Sequence, residues 1–320
     1  MIELLIWLGV LILSIAVLVK ASDYFTDSAE EIGFYFKLPA FIVGVTIVAI
    51  GTSLPELAAS LAAVFKGSTE IVIGNVVGSN ITNIFLVLGI SAIVAKNLKI
   101  TYELIHVDLP LLIASAFLLT ITVWDGNFTW PEALLCLAGL FIYIMYTIRS
   151  GRKHEDKEIK KEMKADLKKK HKLGWKIWAV LIVSGAFIYL GAEFTIQSVL
   201  KLSTMFNIGT EIIAASAVAL GTSLPELAVS FTAAKKGKPE IAVGNILGSN
   251  IFNTFAVMGI PALFATLTVP KSILTFSLPV MLFATFMYFF ITQDRQITKW
   301  EGWTLILFYI AFIGKLFGLF

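Results

Sequence analysis

Two glutamates stand where ionisable side chains are costly. Glu56 and Glu226 each close a GTSLPE motif, residues 51–56 and 221–226, inside long apolar runs. At the centre of a bilayer such a residue costs about 2.5–3.5 kcal/mol on insertion scales, so it is rare without a function. Pro55 and Pro225 immediately precede them and donate no N–H, so the helix should be disrupted one turn back. The carbonyls of Gly51 and Gly221 should then lose their partners, and Thr52, Ser53, Thr222 and Ser223 bring hydroxyls beside them. A second element reads GNVVGSN (74–80) and GNILGSN (244–250), each followed by a further amide, Asn83 or Asn253. Ser79 and Asn83 are four apart and share a helix face, and Ser249 and Asn253 repeat the spacing. The G-x-x-x-G pairs Gly74/Gly78 and Gly244/Gly248 permit close helix contact.

The resulting inventory is carboxylate, hydroxyl, amide and carbonyl oxygen. It contains no thiolate or imidazole. Hard cations choose such shells, with Ca²⁺ taking six to eight oxygens at about 2.3–2.6 Å. Soft transition metals would call for Cys or His. The lone Cys136 lies in an apolar helix and reads as a core residue; His106, His154 and His171 lie in or beside loops without metal-ligand spacing. Magnesium holds its water tightly, so calcium and sodium fit best. Two ionised glutamates leave an empty site at −2, which is costly to carry through low dielectric. One Ca²⁺, two Na⁺ or two protons would neutralise it. The residues alone therefore describe a cation antiporter with an oxygen-lined dicarboxylate site, and leave the coupling ion open.

Spanning helices must position these groups. The chain of 320 residues is 58% hydrophobic and only 15% charged, with mean hydropathy +0.86. Soluble proteins are nearer 25% charged, so this one needs lipid as its solvent. Apolar runs of spanning length predict ten transmembrane helices, at 3–20, 41–65, 70–95, 106–124, 130–148, 175–195, 209–234, 240–265, 272–292 and 302–319. Amphipathic stretches at 21–38 and 196–208 extend or follow the first and sixth. The first run has no basic segment or cleavage site and reads as a retained helix. Lysine and arginine crowd the segment 149–176, and positive loops stay cytoplasmic. That reading displaces nucleic-acid binding, and five preceding spans put the N-terminus outside.

The chain repeats itself. Shifted by 170 residues, 51–90 aligns with 221–260 without a gap, identical at roughly 25 of 40 positions. Such self-similarity organises the whole fold. With five spans per half, equivalent helices cross in opposite directions. The expected fold is all-α: a first five-helix repeat (1–148), a basic cytoplasmic loop (149–174) and a second, inverted repeat (175–320). Inverted repeats of this kind hold substrate near the midplane, between discontinuous helices. Asp23 and Glu193 also share the offset, at the ends of spans one and six, and suit pairing or capping there.

Both motifs, in both halves, resemble the paired alpha repeats of the calcium/cation antiporter superfamily, and within it the prokaryotic sodium/calcium exchangers. The resemblance implies that Glu56 and Glu226 ligate Ca²⁺ and share Na⁺. It implies hydroxyl ligands from Thr52, Thr222, Ser53, Ser223, Ser79 and Ser249, and backbone carbonyls from Ala49 and Ala219. Asn83 matches a family asparagine, whereas Asn253 stands where some archaeal and potassium-dependent members carry aspartate; the change removes a titratable group and argues against K⁺ co-transport. It also implies that spans one and six slide on a fixed core. Ca²⁺ and Na⁺ are then transported ions, with no cofactor, the lipid bilayer as surroundings, and no nucleic-acid or protein partner indicated. A Ca²⁺/H⁺ or other cation/proton antiporter is the nearest alternative, although that branch usually carries GN-x-x-E where this chain has serine and asparagine. An intramembrane enzyme lacks a nucleophile or metal triad beside the glutamates, and a channel fits broken midplane helices less well. The central loop is too short for a calcium-sensing domain.

Overall fold

A computed structural model describes residues 2–36, 38–100, 108–153, 174–205 and 221–319. Among these residues ten helices follow in order: α1 (Ile2–Tyr35), α2 (Ala40–Phe65) and α3 (Glu70–Ala95), α4 (Asp108–Thr122), α5 (Trp130–Lys153), α6 (Trp175–Met205), α7 (Leu224–Lys235), α8 (Pro239–Ala262) and α9 (Ile273–Thr292), and α10 (Lys299–Leu316). Among the described residues seven of them, α1, α2, α3, α5, α6, α8 and α9, have both the length and the apolar composition to cross a membrane. The amphipathic stretch after span one is continuous with it. At 1.5 Å per residue the 34-residue α1 is about 51 Å long, well beyond the roughly 30 Å hydrocarbon core. Its counterpart α6 has 31 residues, and the two lie against each other. Thr195 Oγ1 donates across that seam to Ser14 Oγ at 2.9 Å. The fifth helix runs on to Lys153, into the segment expected as loop. His106, His154 and His171, and most of 149–174, lie outside the described residues.

α2, α3, α7 and α8 form the interior. Glycine lets α8 reach α2: a β-carbon on Gly244 would stand 2.6 Å from the Phe41 carbonyl oxygen, and one on Gly248 2.5 Å from that of Val45. No side chain fits there, which is what the small-xxx-small spacing implies. Cys136 is buried in the core on α5.

Two short ribbons tie the halves together. β1 (Asn97–Lys99) pairs antiparallel with β4 (Gln296–Thr298), Leu98 opposite Ile297. β2 (Asn127–Phe128) pairs with β3 (Leu267–Thr268), Phe128 opposite Leu267. The 170-residue offset carries β1 onto β3 and β2 onto β4. Each ribbon is thus the repeat image of the other, a relation an inverted duplication produces.

The prolines act unequally. Pro55 lies within α2, which stays helical from Ala49 to Phe65 after a wide π-turn at Gly44–Val48. One missing N–H removes one rung, and the neighbouring rungs hold the helix. At Pro225 the expected break is present: Thr222 and Ser223 form a turn, and α7 begins at Leu224.

Charged groups fix α1 to the α7–α8 turn. Lys236 Nζ lies 2.8 Å from Asp27 and 3.4 Å from Asp23. Lys238 meets Asp27 at 3.1 Å and also pairs with Glu30. Burial by itself would depress the Lys238 pKa, but the bonds to Glu30 and Asp27 outweigh it and raise the value. The repeat-equivalent turn offers Lys66 and Ser68 instead. Asp23 pairs as its place at the end of the span suggested, and Glu193 accepts from Gln197 Nε2 at 2.8 Å.

Candidate ion-binding site

The interior helices bring the motif residues together between the halves. Glu56 and Glu226 are both buried and within electrostatic reach of each other. Ser53 Oγ donates to Glu226 Oε1 at 3.1 Å, joining α2 to α7. Thr52 Oγ1 donates to Asn245 Oδ1 at 3.1 Å and to the Ala49 carbonyl at 3.3 Å. It also stands 3.5 Å from Ser249 Oγ. The mirror set is Thr222 Oγ1, donating to Asn75 Oδ1 at 3.1 Å and lying 3.2 Å from Ser79 Oγ. Eleven of the twelve residues expected at the site are described; Ala219 lies outside the described residues.

Asn83 and Asn253 each open a π-turn, Asn83–Leu88 in α3 and Asn253–Val257 in α8. Wide turns of this kind inside α-helices recur at functional sites. Both side chains are fully buried.

Sequence reasoning missed four amides. Asn75 donates to the Glu56 carbonyl at 3.2 Å and to Ser60 Oγ at 3.1 Å, and Asn245 donates to Ser230 Oγ at 2.9 Å. Each thus braces the threonine of the opposite half while anchored in its own. Asn80 and Asn250 bond the Asn253 and Asn83 amides. The available signal was identity between repeats: GN and GSN recur in register, yet the spacing argument gave a role only to the serines and the later asparagines.

At the expected site residues, six buried oxygens have no hydrogen-bond partner among the described residues: both of Glu56, Oε2 of Glu226, Ser223 Oγ, and the Oδ1 atoms of Asn83 and Asn253. A buried acceptor without a partner costs about 1–3 kcal/mol, more if charged. Unpaired carboxylate, amide and hydroxyl oxygens are the chemistry that suits a hard cation. No group of three or more His, Cys, Asp and Glu side chains that could hold a metal ion occurs among the described residues.

A buried dicarboxylate shared between the two repeats points to the class of membrane cation transporters. The comparisons narrow that class. The family model described as sodium/calcium exchanger protein matches residues 6–149 and 176–317, and this chain belongs to that family. The sodium/calcium exchanger MaX1 of Methanosarcina acetivorans is 33% identical over 342 residues, covering 96% of this chain and 97% of MaX1. The putative antiporter CaxA of Alkalimonas amylolytica is 31% identical, with 97% of each chain covered. Among solved structures, the sodium-calcium exchanger NCX_Mj, soaked with Na⁺ and Sr²⁺, superposes with TM-score 0.83 at 28% identity. It covers 97% of this chain and 99% of its own. The protein is a multi-pass membrane antiporter for sodium and calcium.

Proposed function

We propose that Ca²⁺ and Na⁺ compete for the oxygens of Glu56, Glu226, Thr52, Thr222, Ser53, Ser223, Ser79, Ser249, Asn83, Asn253, Ala49 and Ala219 at the membrane midplane. The observation that carries this reading is the set of buried, donor-free oxygens around two carboxylates on repeat-related segments. One Ca²⁺ or two Na⁺ cancels the charge of the glutamates, and only a neutralised site crosses the low-dielectric interior cheaply. Exchange follows, because an empty site cannot return. The long pair α1 and α6 moves against the interior helices, opening the site to one face at a time. The halves are 1–148 and 175–320, the N-terminus lies outside, and the basic loop 149–174 is cytoplasmic. Ca²⁺ and Na⁺ are the transported substrates, and lipid is the only other partner this reading requires.

Na⁺-loaded proteoliposomes tested for ⁴⁵Ca²⁺ uptake into Na⁺-free buffer decide the matter. Uptake that needs the outward Na⁺ gradient, persists without K⁺, and disappears in Glu56→Gln and Glu226→Gln is the expected result. Uptake driven by a pH gradient without Na⁺ would replace sodium coupling with proton coupling. If no ion moves under either gradient in folded protein, the reading is wrong.

A further inference from the structure

Four asparagines pair across the two halves. Asn83 Nδ2 donates to Asn250 Oδ1 at 3.1 Å, and Asn253 Nδ2 donates to Asn80 Oδ1 at 3.2 Å. All four side chains are buried. An amide carries nitrogen and oxygen at opposite corners of one plane, so fixing the nitrogen fixes where the oxygen points. The oxygens left over, Oδ1 of Asn83 and of Asn253, are two of the six that meet no donor.

We infer that Asn80 and Asn250 are positioning residues: by accepting the Asn253 and Asn83 amide nitrogens, they turn those two amide oxygens outward as ligands for the transported cation. The inference rests on the ion site proposed above. An unrestrained amide could rotate and offer its nitrogen instead, which repels a cation. The two arms are not equivalent. Asn80 Nδ2 is itself anchored, donating to Thr254 Oγ1 at 3.1 Å and to the Asn250 carbonyl at 3.3 Å. Those bonds leave its oxygen facing Asn253. The repeat partner of Thr254 is Ile84, which offers no acceptor, and Asn250 Nδ2 has none among the described residues. The chain Thr254–Asn80–Asn253 therefore has a fixed donor direction, while Asn250 holds Asn83 by a single bond.

A double-mutant cycle read on ions tests the role. Asn250→Leu, Asn83→Ala and the double variant are purified, checked for folding, and assayed for apparent Ca²⁺ and Na⁺ affinities in proteoliposomes. Acting through Asn83, Asn250→Leu should weaken Ca²⁺ about tenfold, the scale of one buried hydrogen bond. It should add nothing to the loss already caused by Asn83→Ala. Effects that add, as independent sites do, or wild-type affinities for both ions in Asn250→Leu, overturn the inference. Asn80→Leu with Asn253→Ala gives the same cycle on the anchored arm and should show the larger loss. If neither leucine variant folds, the asparagines hold the bundle and not the site, and the inference falls. If the wild type moves neither ion, the transport reading fails instead. Protection of the same variants by Ca²⁺ against thermal unfolding then reads the cycle without transport.

Discussion

The serines beside the carboxylates are chemically equivalent in sequence and unequal in the structure, which makes Ser53→Ala and Ser223→Ala a discriminating pair. Ser53 Oγ donates to Glu226 Oε1 at 3.1 Å, whereas Ser223 Oγ has no partner among the described residues. Both side chains are buried, so neither loss is compensated by bulk water. A hydrogen bond to a charged group contributes about 1.5–3 kcal/mol, and a buried hydroxyl without a partner is a cost rather than a contribution. In ion-free detergent Ser53→Ala should therefore lose about 1.5–3 kcal/mol of stability if Glu226 is ionised. Ser223→Ala should lose nothing and gain up to about 1–3 kcal/mol, because it removes a buried hydroxyl left without a partner. Adding Ca²⁺ reverses the emphasis, because an unpaired hydroxyl is free to ligate. Ser223→Ala should lose much of the stabilisation that Ca²⁺ gives the wild type, a quantity that scales as RT ln(1 + [L]/Kd). Thermal unfolding with and without Ca²⁺ measures both quantities on one preparation. Equal losses from the two alanines in ion-free buffer would refute the reasoning, since the bonding asymmetry would then have no energetic content.

Three further outcomes follow from packing, charge and register. Gly244→Ala places a β-carbon 2.6 Å from the Phe41 carbonyl oxygen and should cost about 1–3 kcal/mol or more as the helices separate. Gly9→Ala, with nothing within 4 Å among the described residues, should not lower thermal stability and gains the better helix propensity of alanine. The ion pairs on α1 should be insensitive to pH across the neutral range: the Lys238 pKa is raised by Glu30 and Asp27 against the opposing effect of burial. Its contribution is complete below the usual lysine value of about 10.4 and is lost only as pH climbs through the higher folded-state value. Hydrogen exchange over residues 23–30, corrected for intrinsic rate, should therefore be unchanged across the neutral range and quicken in strong alkali. Finally, Asn127→Cys with Thr268→Cys puts thiols on directly opposed strand residues, within disulfide reach. The oxidised protein should still exchange ions; arrest would show that this ribbon opens during the cycle.

Much of the architecture was legible because two strong signals coincide. Apolar runs locate the helices, and the duplicated motifs relate them by inversion, so the ten-helix order needed no tertiary information. The oxygen chemistry of the site was equally visible, since Glu56 and Glu226 have no reason to lie in apolar helices unless something charged joins them. What the sequence concealed depends on partners distant in the chain. Identical motifs behave differently at their prolines: α2 runs on through Pro55, whereas α7 starts only at Leu224. The bracing by Asn75 and Asn245 reaches across to Thr222 and Thr52, and no spacing within one helix encodes it. The π-turns at Asn83 and Asn253 add a residue to a turn without any local sequence mark. Thr254 illustrates the limit well: opposite Ile84 it looks like ordinary drift between repeats, yet its hydroxyl orients Asn80.

The crossing bonds also govern how the protein can be made. Ser53 reaches Glu226 across 173 residues, Thr52 reaches Asn245 across 193, and Asn83 reaches Asn250 across 167. Leu98 waits for Ile297 to complete its ribbon. A nascent chain inserted as far as α5 therefore holds Glu56, Asn75 and Asn83 in lipid-bound helices with their eventual partners not yet synthesised. At elongation rates of about 5–20 residues per second, that interval lasts on the order of ten to thirty seconds. Binding competence is thus a late event in biogenesis, reached only when the final helices dock. A truncated chain would present its buried polar groups unpaired, the kind of defect by which membrane quality control could recognise an unfinished copy.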